Sequence, residues 1–353
     1  MTTVTAIIVN WNGAADTIAC LESLRQVSTP GCDLSVVVID NASSDGSFAA
    51  IGQALAQRGY RAESLAVPSD LVLRVSRGVR HVPGDGGPDV TLVQATDNLG
   101  FAGGNNVGVA MRAAAGQSDY FWFLNSDTLV DHAALSALLA KMAAEPAVGM
   151  CGSTLIHASD RTTVQSYGGS CYSLRTGRAW APGDGCRYDP GVTDEWAEQR
   201  INYVSGAAMF VRAAVLDSVG PMCEDYFLYN EEIDWAVRAR GRFRLGVATD
   251  SIVYHKVGAS IGTEGAAASA SRLATFYQTR SKLLFAAKHG KRFYPTVWLT
   301  LLARAAKFMR VASRQAEAAV ILQVLAGRRS VDPRWFAERR QQEQAPMAVE
   351  AVQ

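Results

Sequence analysis

The run from Val4 to Asn10 is apolar and β-branched and stops at Trp11-Asn12-Gly13; beyond it, Ile18, Leu21 and Leu24 recur at helical spacing between Ala14 and Arg25. A second buried-strand pattern, Leu34 to Ile39, ends at Asp40-Asn41-Ala42-Ser43-Ser44-Asp45-Gly46-Ser47 and leads into a helical stretch from Phe48 to Gln57. Strand, helix, strand, helix with β-branched strands predicts an α/β fold, a largely parallel sheet with helices on both faces. Ligands of such sheets bind beyond the carboxyl ends of the strands, where Asn10-Trp11-Asn12 and Asp40-Asn41 fall.

Further along, alternating Leu71, Leu73 and Val75, a turn cluster from Pro83 to Pro88 and a short strand at Val90 to Val93 predict a hairpin-like excursion. The glycine-rich stretch from Asp97 to Asn106 precedes a helix expected over Val107 to Ala115. A strand from Tyr120 to Leu124 is cut off by Asn125-Ser126-Asp127, and a helix from His132 to Ala144 and a strand starting at Val148 follow. Ser166 to Arg200 has no clear period and reads as a long loop or short hairpins lining a site. No internal repeat is evident, and Gln341 to Gln353 reads as a disordered end.

With 353 residues, 48% of them hydrophobic and 19% charged, the chain can bury one large core plus an appended element, or two modest domains. The net charge of +1 hides an asymmetry. Between Glu264 and Glu317 there is no acid, yet ten cations occur: Arg272, Arg280, Lys282, Lys288, Lys291, Arg292, Arg304, Lys307, Arg310 and Arg314. The remainder therefore carries −9, the difference between +1 overall and these ten. An acidic body with a basic tail segment points to an anionic membrane surface or a phosphate-bearing lipid rather than to nucleic acid. Leu273, Phe276, Tyr277, Phe285, Trp298 and Leu301 are interleaved with the cations, the pattern of basic amphipathic helices, and Lys291 to Arg314 is the part expected at the membrane. The apolar run Phe293 to Ala303 falls well short of the ~20 residues that span a bilayer. Met1 leads straight into the first strand with no basic leader or cleavage site, and the six cysteines show neither Cys-x-x-Cys pairs nor zinc-ligand spacing. Reduced thiols and a cytoplasmic location, peripheral at the inner face of the cell membrane, are the expectation.

Three polar clusters are expected immediately after strands: Asp40-Asn41, Asn125-Ser126-Asp127 and Asn230-Glu231-Glu232-Ile233-Asp234. Carboxylates gathered beside a glycine-rich loop, with no nucleophilic Ser or Cys in a recognisable elbow, suit an oxygen-ligated Mg2+ or Mn2+ holding a diphosphate. Asp45 and Asp131 are expected to serve as turn or cap residues, and Asp234 to pair with Arg238 at i, i+4.

The strings VTAIIVNWN (Val4 to Asn12), VVVIDNASSDGS (Val36 to Ser47), DNLGFAGGNNVG (Asp97 to Gly108), FLNSDTLV (Phe123 to Val130) and FLYNEEIDWAVRARG (Phe227 to Gly241) together resemble, in that order, the family 2 glycosyltransferases. The match is nearest to the bacterial rhamnosyltransferase-like members and runs from about Val4 to His255. The resemblance implies a GT-A fold, here residues 1–260; the charge pattern adds a basic helical region over 261–340, and the tail is 341–353. It also implies a nucleoside diphosphate sugar donor, with dTDP-L-rhamnose as the best match, and inversion at the anomeric carbon. A glycan or lipid-linked precursor of the cell envelope would be the acceptor.

By the same resemblance Asn10, Asn12 and Asp40 would bind the nucleoside, with Asp40 accepting from a pyrimidine base. Asn98, Gly100 and Asn105 would stand nearest the phosphate or ribose, at a helix start whose N–H groups are free to donate. Asn125-Ser126-Asp127 occupies the family's Asp-x-Asp position with Asn in place of the first Asp, so Asp127 would hold the metal and Asn125 would contact donor sugar or ribose. His255 matches a second metal position. Glu231-Glu232 matches a Glu-Asp pair whose second acid is the general base, which points to Glu232 and leaves Glu231 open. Two other readings are a non-catalytic nucleotide-sugar-binding module and a Rossmann-type oxidoreductase; the latter would carry Gly-x-Gly-x-x-Gly where this chain has Asn10-Trp11-Asn12-Gly13.

Overall fold

Successive residues of a strand face opposite sides of a sheet, and the first two strands carry apolar side chains on both. The computed structural model describes residues 1–29, 31–84, 86–116, 118–256, 271–332 and 335. The elements are β1 (Thr2–Asn10), α1 (Ala14–Arg25), β2 (Cys32–Asp40), α2 (Ser47–Gln57), β3 (Arg61–Leu65), β4 (Val75–Val82), β5 (Asp89–Ala95), α3 (Gly100–Ala115), β6 (Tyr120–Asn125), β7 (Thr128–Val130), α4 (Ala134–Ala144) and β8 (Val148–His157). They continue with β9 (Val164–Tyr167), β10 (Gly169–Tyr172), β11 (Ala179–Trp180), α5 (Asp194–Glu198), β12 (Tyr203–Val204), β13 (Ala208–Arg212), α6 (Ala213–Val219), α7 (Glu231–Ala239) and β14 (Arg244–His255). Three helices follow: α8 (Arg272–His289), α9 (Tyr294–Met309) and α10 (Gln315–Leu325).

Val4, Ala6, Ile8, Val36 and Val38 turn to one side, where Leu21 and Leu24 of α1, Ile51 and Leu55 of α2 and Leu135 and Leu138 of α4 bury them. Val37 and Ile39 turn to the other and meet Val107 and Met111 of α3; Ile7, on that same face, joins Trp235 and Ala239 of α7. The α/β expectation is therefore met: a mixed sheet with helices on both faces. Among the described residues its strand order is β3-β4-β5-β2-β1-β6-β13-β8-β14-β7, with β9 added on β8. The central strands β5, β2, β1 and β6 are mutually parallel; β13 runs against both β6 and β8, so β8 and its parallel neighbour β14 point the same way as the central set.

The expected excursion is a real antiparallel hairpin of β4 and β5, but Leu71 and Leu73 are not strand residues. Ser69–Leu71 is a 3-10 turn, and Leu73 is 87% exposed. The helix expected from Val107 begins seven residues earlier, at Gly100. Its glycines, which weaken an isolated helix, are what let α3 lie on β1: a Cβ on Gly108 would come within 2.6 Å of Ile7 Cγ2. Between 166 and 200 the chain makes short hairpin pieces, β10 pairing with β11 and β12 in a second, three-stranded sheet.

Two compact units divide the chain: Met1–Ser173 with Gly177–Lys256, and Leu174–Thr176 with the part from Val257 onward. The expected boundary at 260 and the tail 341–353 lie outside the described residues. In the second unit Val297, Leu301, Ala305 and Phe308 of α9 pack with Ala286 of α8 and with Ala318 and Ile321 of α10. Among the described residues no helix is long and apolar enough to cross a membrane.

Candidate active site

Because β5, β2, β1, β6, β8 and β14 all point one way, their last residues form one edge: Gln94 beside Asp40, Asp40 beside Asn10, Asn125 beside Val9, and His157 beside His255. Asn10, Asp40, Asn125, Asp127 and His255 are thus gathered on that edge by strand register.

At its β1–β2 end, Asn10 Nδ2 donates to Asp40 Oδ1 at 2.8 Å and to Ser43 Oγ at 3.1 Å, while Gln94 Nε2 donates to Asp40 Oδ2 at 3.3 Å. Asn10 and Asp40 are both 0% exposed. Asp40, the residue expected to accept from a base, is enclosed at this junction. Its oxygens are already engaged inside the protein, and it serves to hold two strand ends together. Asn12 remains partly exposed, held by its backbone N–H to Ser43 Oγ (2.9 Å) and by its Oδ1 accepting from Ser44 N–H (2.9 Å).

The glycine-rich loop is pinned by Asn41, whose Oδ1 accepts from Leu99 N–H and whose Nδ2 donates to Asn98 Oδ1 and to Gly100 O. Gly100 N–H donates to Asn98 Oδ1, and Phe101 N–H donates to Phe227 O at 2.8 Å. Those two leading N–H groups are not free for a phosphate, contrary to expectation; the loop's own turn and the Phe227 carbonyl take them. Asn105 is 1% exposed and donates to Phe101 O, so it braces the helix instead of reaching a ligand.

The acidic cluster does not follow a strand directly either. After β13 come α6, a 3-10 turn at Glu224–Tyr226, and then Phe227, Tyr229 and Asn230 with φ of 68°, 66° and 74°. Non-glycine residues in this left-handed region cost roughly 1 kcal/mol or more each and persist only where the surroundings enforce them. The enforcing contact is Phe227 on Gly100: a Cβ there would lie 2.3 Å from Phe227 O. The loop delivers Glu231 and Glu232 to the first turn of α7, where the helix dipole favours negative charge. We expect Gly100→Ala to slow turnover about tenfold or more by pushing this loop away, with a stability loss of roughly 1–3 kcal/mol. Steady-state kinetics beside a thermal melt check this, and an unchanged turnover number would show that the acids do not depend on that contact.

The two glutamates differ in setting. Glu231 is 3% exposed with its Oε2 lacking a hydrogen-bond partner, and burial together with the charge of Glu232 raises its carboxyl well above the usual range. Glu232 is partly exposed, and desolvation pushes its carboxyl up to about 7. Of the pair, Glu232 is the one a solute can reach. Asp234 takes the structural part expected of it, accepting from Tyr226 Oη at 3.0 Å and from Arg238 Nε at 2.6 Å. Asp45 and Asp131 are turn residues as expected, each accepting from the N–H two residues on.

At the β6 end, His255 Nε2 lies 3.2 Å from Asp127 Oδ1 and 3.3 Å from Asn125 Nδ2. Asp127 is 5% exposed and His255 9%. Among the described residues no group of three or more His, Cys, Asp or Glu side chains gathers to hold a metal. A carboxylate oxygen and an imidazole nitrogen 3.2 Å apart nevertheless fit adjacent positions on a cation of N/O preference, the rest of whose coordination would come from substrate oxygens and water. Sequence reasoning missed Gln165, which contacts His255 twice, and Ser43, which ties Asn10 to Asn12. Nothing in the local pattern marks Gln165; it is the extra residue at a register shift of β9 on β8, the kind of bulge that re-aims a side chain beside a site.

Residues 75–191, about a third of the chain, match the family model described as glycosyl transferase family 2. That span contains the glycine-rich loop, Asn125-Ser126-Asp127 and Gln165. No curated protein matches the chain. Among solved structures, the mannosyltransferase PcManGT from Pyrobaculum calidifontis, in complex with GDP-Man and Mn2+, is similar at 16% identity over 96% of this chain and 79% of that one, with a TM-score of 0.50. S. aureus TarS is similar at 13% identity over 96% of this chain and 50% of that one, also with a TM-score of 0.50. At these identities the likeness is one of fold, and the fold is GT-A-like. The family match over residues 75–191, on that fold, supports a family 2 glycosyltransferase.

Proposed function

We propose that this chain is an inverting, metal-dependent glycosyltransferase that takes a sugar from a nucleoside diphosphate and passes it to an acceptor hydroxyl. The observation that carries the reading is the pairing of Asp127 with His255 at the strand edge, and the loop that leads to Glu232 is anchored on the glycine-rich loop through Phe227. Asp127 and His255 would hold a Mg2+ or Mn2+, which when bound neutralises the diphosphate and makes it a better leaving group. Asn12 and Asn125 would contact the nucleoside and the donor sugar. Glu232 accepts the acceptor's hydroxyl proton as that oxygen bonds to the anomeric carbon; the bond from this carbon to the diphosphate oxygen breaks, and its electron pair leaves on the diphosphate. A thermal-shift panel of nucleoside diphosphates and nucleotide sugars with Mn2+ tests the reading. Binding stabilises by RT ln(1 + [L]/Kd), ~2.7 kcal/mol at a hundredfold excess, so a cognate donor stands out. From the motif resemblance dTDP-L-rhamnose is proposed as that donor, and GDP-mannose, the sugar nucleotide in the Pyrobaculum complex, is its natural comparator. A panel with no response to any donor would sink the reading in favour of a different ligand on this fold.

The acceptor is proposed to be lipid-linked, reached from the inner face of the cell membrane. Supporting this, Lys291, Arg292, Lys307 and Arg310 are exposed in the second unit together with Tyr294, Leu299, Met309 and Val311. The basic run is less uniform than its sequence: Arg314 is clamped to buried Glu317 by two 2.8 Å bonds, and Arg304 is partly buried with its guanidinium over Phe308. Each free cation near an anionic surface contributes ~1 kcal/mol, screened beyond ~8 Å at physiological salt. Replacing Lys291, Arg292, Lys307 and Arg310 by Gln is expected to abolish co-sedimentation with anionic liposomes at low salt. Equal sedimentation of variant and wild type would assign this face to another partner.

A further inference from the structure

The hydrogen bonds around His255 determine that its Nδ1 carries a proton. Gln165 Nε2 lies 2.7 Å from the backbone carbonyl of His255. A carbonyl only accepts, so that atom of Gln165 must be the amide NH2, and the other, 2.9 Å from His255 Nδ1, must be its carbonyl oxygen. Facing an acceptor, Nδ1 must carry a proton. The same amide nitrogen lies 3.2 Å from His157 Nδ1, a second partner that suits a donor there. In the neutral ring this leaves the lone pair on Nε2, the nitrogen 3.2 Å from Asp127 Oδ1 and 3.3 Å from Asn125 Nδ2. A cation that takes this lone pair would lie against the Asp127 carboxylate.

We propose that Gln165 is a positioning residue: it locks His255 in the Nδ1–H tautomer and fixes the ring so that Nε2 and Asp127 take one divalent cation together. This rests on the metal reading above and adds to it the residue that prepares the nitrogen ligand. Gln165 is itself held in place from outside the site, because its position at the β9 bulge is set by the pairing of Val164 and Ser166 with β8. Outer partners of metal-bound histidines raise affinity about 10–100-fold by this means.

The test uses the full chain and two variants. Gln165→Leu keeps the bulk and loses both hydrogen bonds; Gln165→Glu keeps the acceptor for Nδ1–H and serves as the conservative rescue. Two-bond 1H–15N correlation spectra, with the His255 signals assigned through His255→Ala, report the tautomer directly. Electron paramagnetic resonance titration of Mn2+, with and without a nucleoside diphosphate, reports affinity without turnover. Wild type and Gln165→Glu are expected to show protonated Nδ1 and tight Mn2+, and Gln165→Leu a mixed tautomer with Mn2+ bound about 10–100-fold more weakly. A folded Gln165→Leu with wild-type tautomer and wild-type Mn2+ affinity overturns the proposal while leaving the metal reading intact. Failure of the wild type itself to bind Mn2+ would overturn the metal reading, and this proposal with it.

Discussion

Glu232→Gln is expected to leave donor affinity unchanged and to lower transfer by about 10²-fold or more, because the amide matches the carboxylate in shape but cannot accept the acceptor's proton. The pH dependence carries the same signature. With the Glu232 carboxyl raised to about 7, the working base is the ionised form, so kcat/KM falls as pH drops below about 7 and levels off above it. Glu231, more deeply buried and with its carboxyl raised well above the usual range, should matter less: Glu231→Gln is expected to leave that acid limb in place. Were Glu231 the base, its variant would lose the limb and most of the rate. The sign for stability is opposite to that of a salt-bridged acid. A carboxyl whose folded pKa is raised favours the fold most below its ordinary value of 4.5, and that contribution is lost as pH rises through about 7. Glu232→Gln should therefore melt higher than wild type at pH 8, and a lower melting temperature there would show that the ionised carboxylate is well solvated or paired.

The second large effect is on donor binding. Asp127→Ala is expected to weaken nucleoside diphosphate affinity in Mn2+ by about 100-fold, roughly 2.8 kcal/mol, and to leave the weak metal-free affinity where it was, because the lost carboxylate removes a ligand from the cation that offsets the diphosphate charge. Calorimetry with and without Mn2+ separates the two terms. Asp127 sits 3.2 Å from His255 on a strand-end turn, so a melt without metal controls for damage to the turn. Wild-type affinity in the variant would reduce Asp127 to a turn residue.

What could be read from the sequence was local. Val4 to Ile8 and Leu34 to Ile39 announce buried strands because both faces are apolar, and Ile18, Leu21 and Leu24 announce a helix because one face is. From these the edge with Asn10, Asp40 and Asn125 followed, since parallel strands align their carboxyl ends. What escaped depends on tertiary contact. Gly100 to Asn106 reads as loop by propensity, yet Phe227 presses on Gly100 and Val9 on Gly104, and both demand glycine there. Glu231 and Glu232 arrive by way of three left-handed residues that no periodicity announces. Asp40 looks like an exposed loop acid, but partners on β1 and β5 enclose it. Gln165 meets His255 across 90 residues of chain, through a bulge with no sequence signature. In the basic run, Glu317, the acid that ends it, folds back onto Arg314.

The most direct measurement is release of nucleoside diphosphate from a panel of nucleotide sugars by the purified full chain, in Mn2+ and again in excess EDTA. Release from one donor that stops in EDTA and falls about 10²-fold or more in Glu232→Gln is the expected result. Release that is indifferent to EDTA and equal in Glu232→Gln, or no release from any donor together with no donor binding, would contradict a metal-dependent sugar transfer at this edge of the sheet.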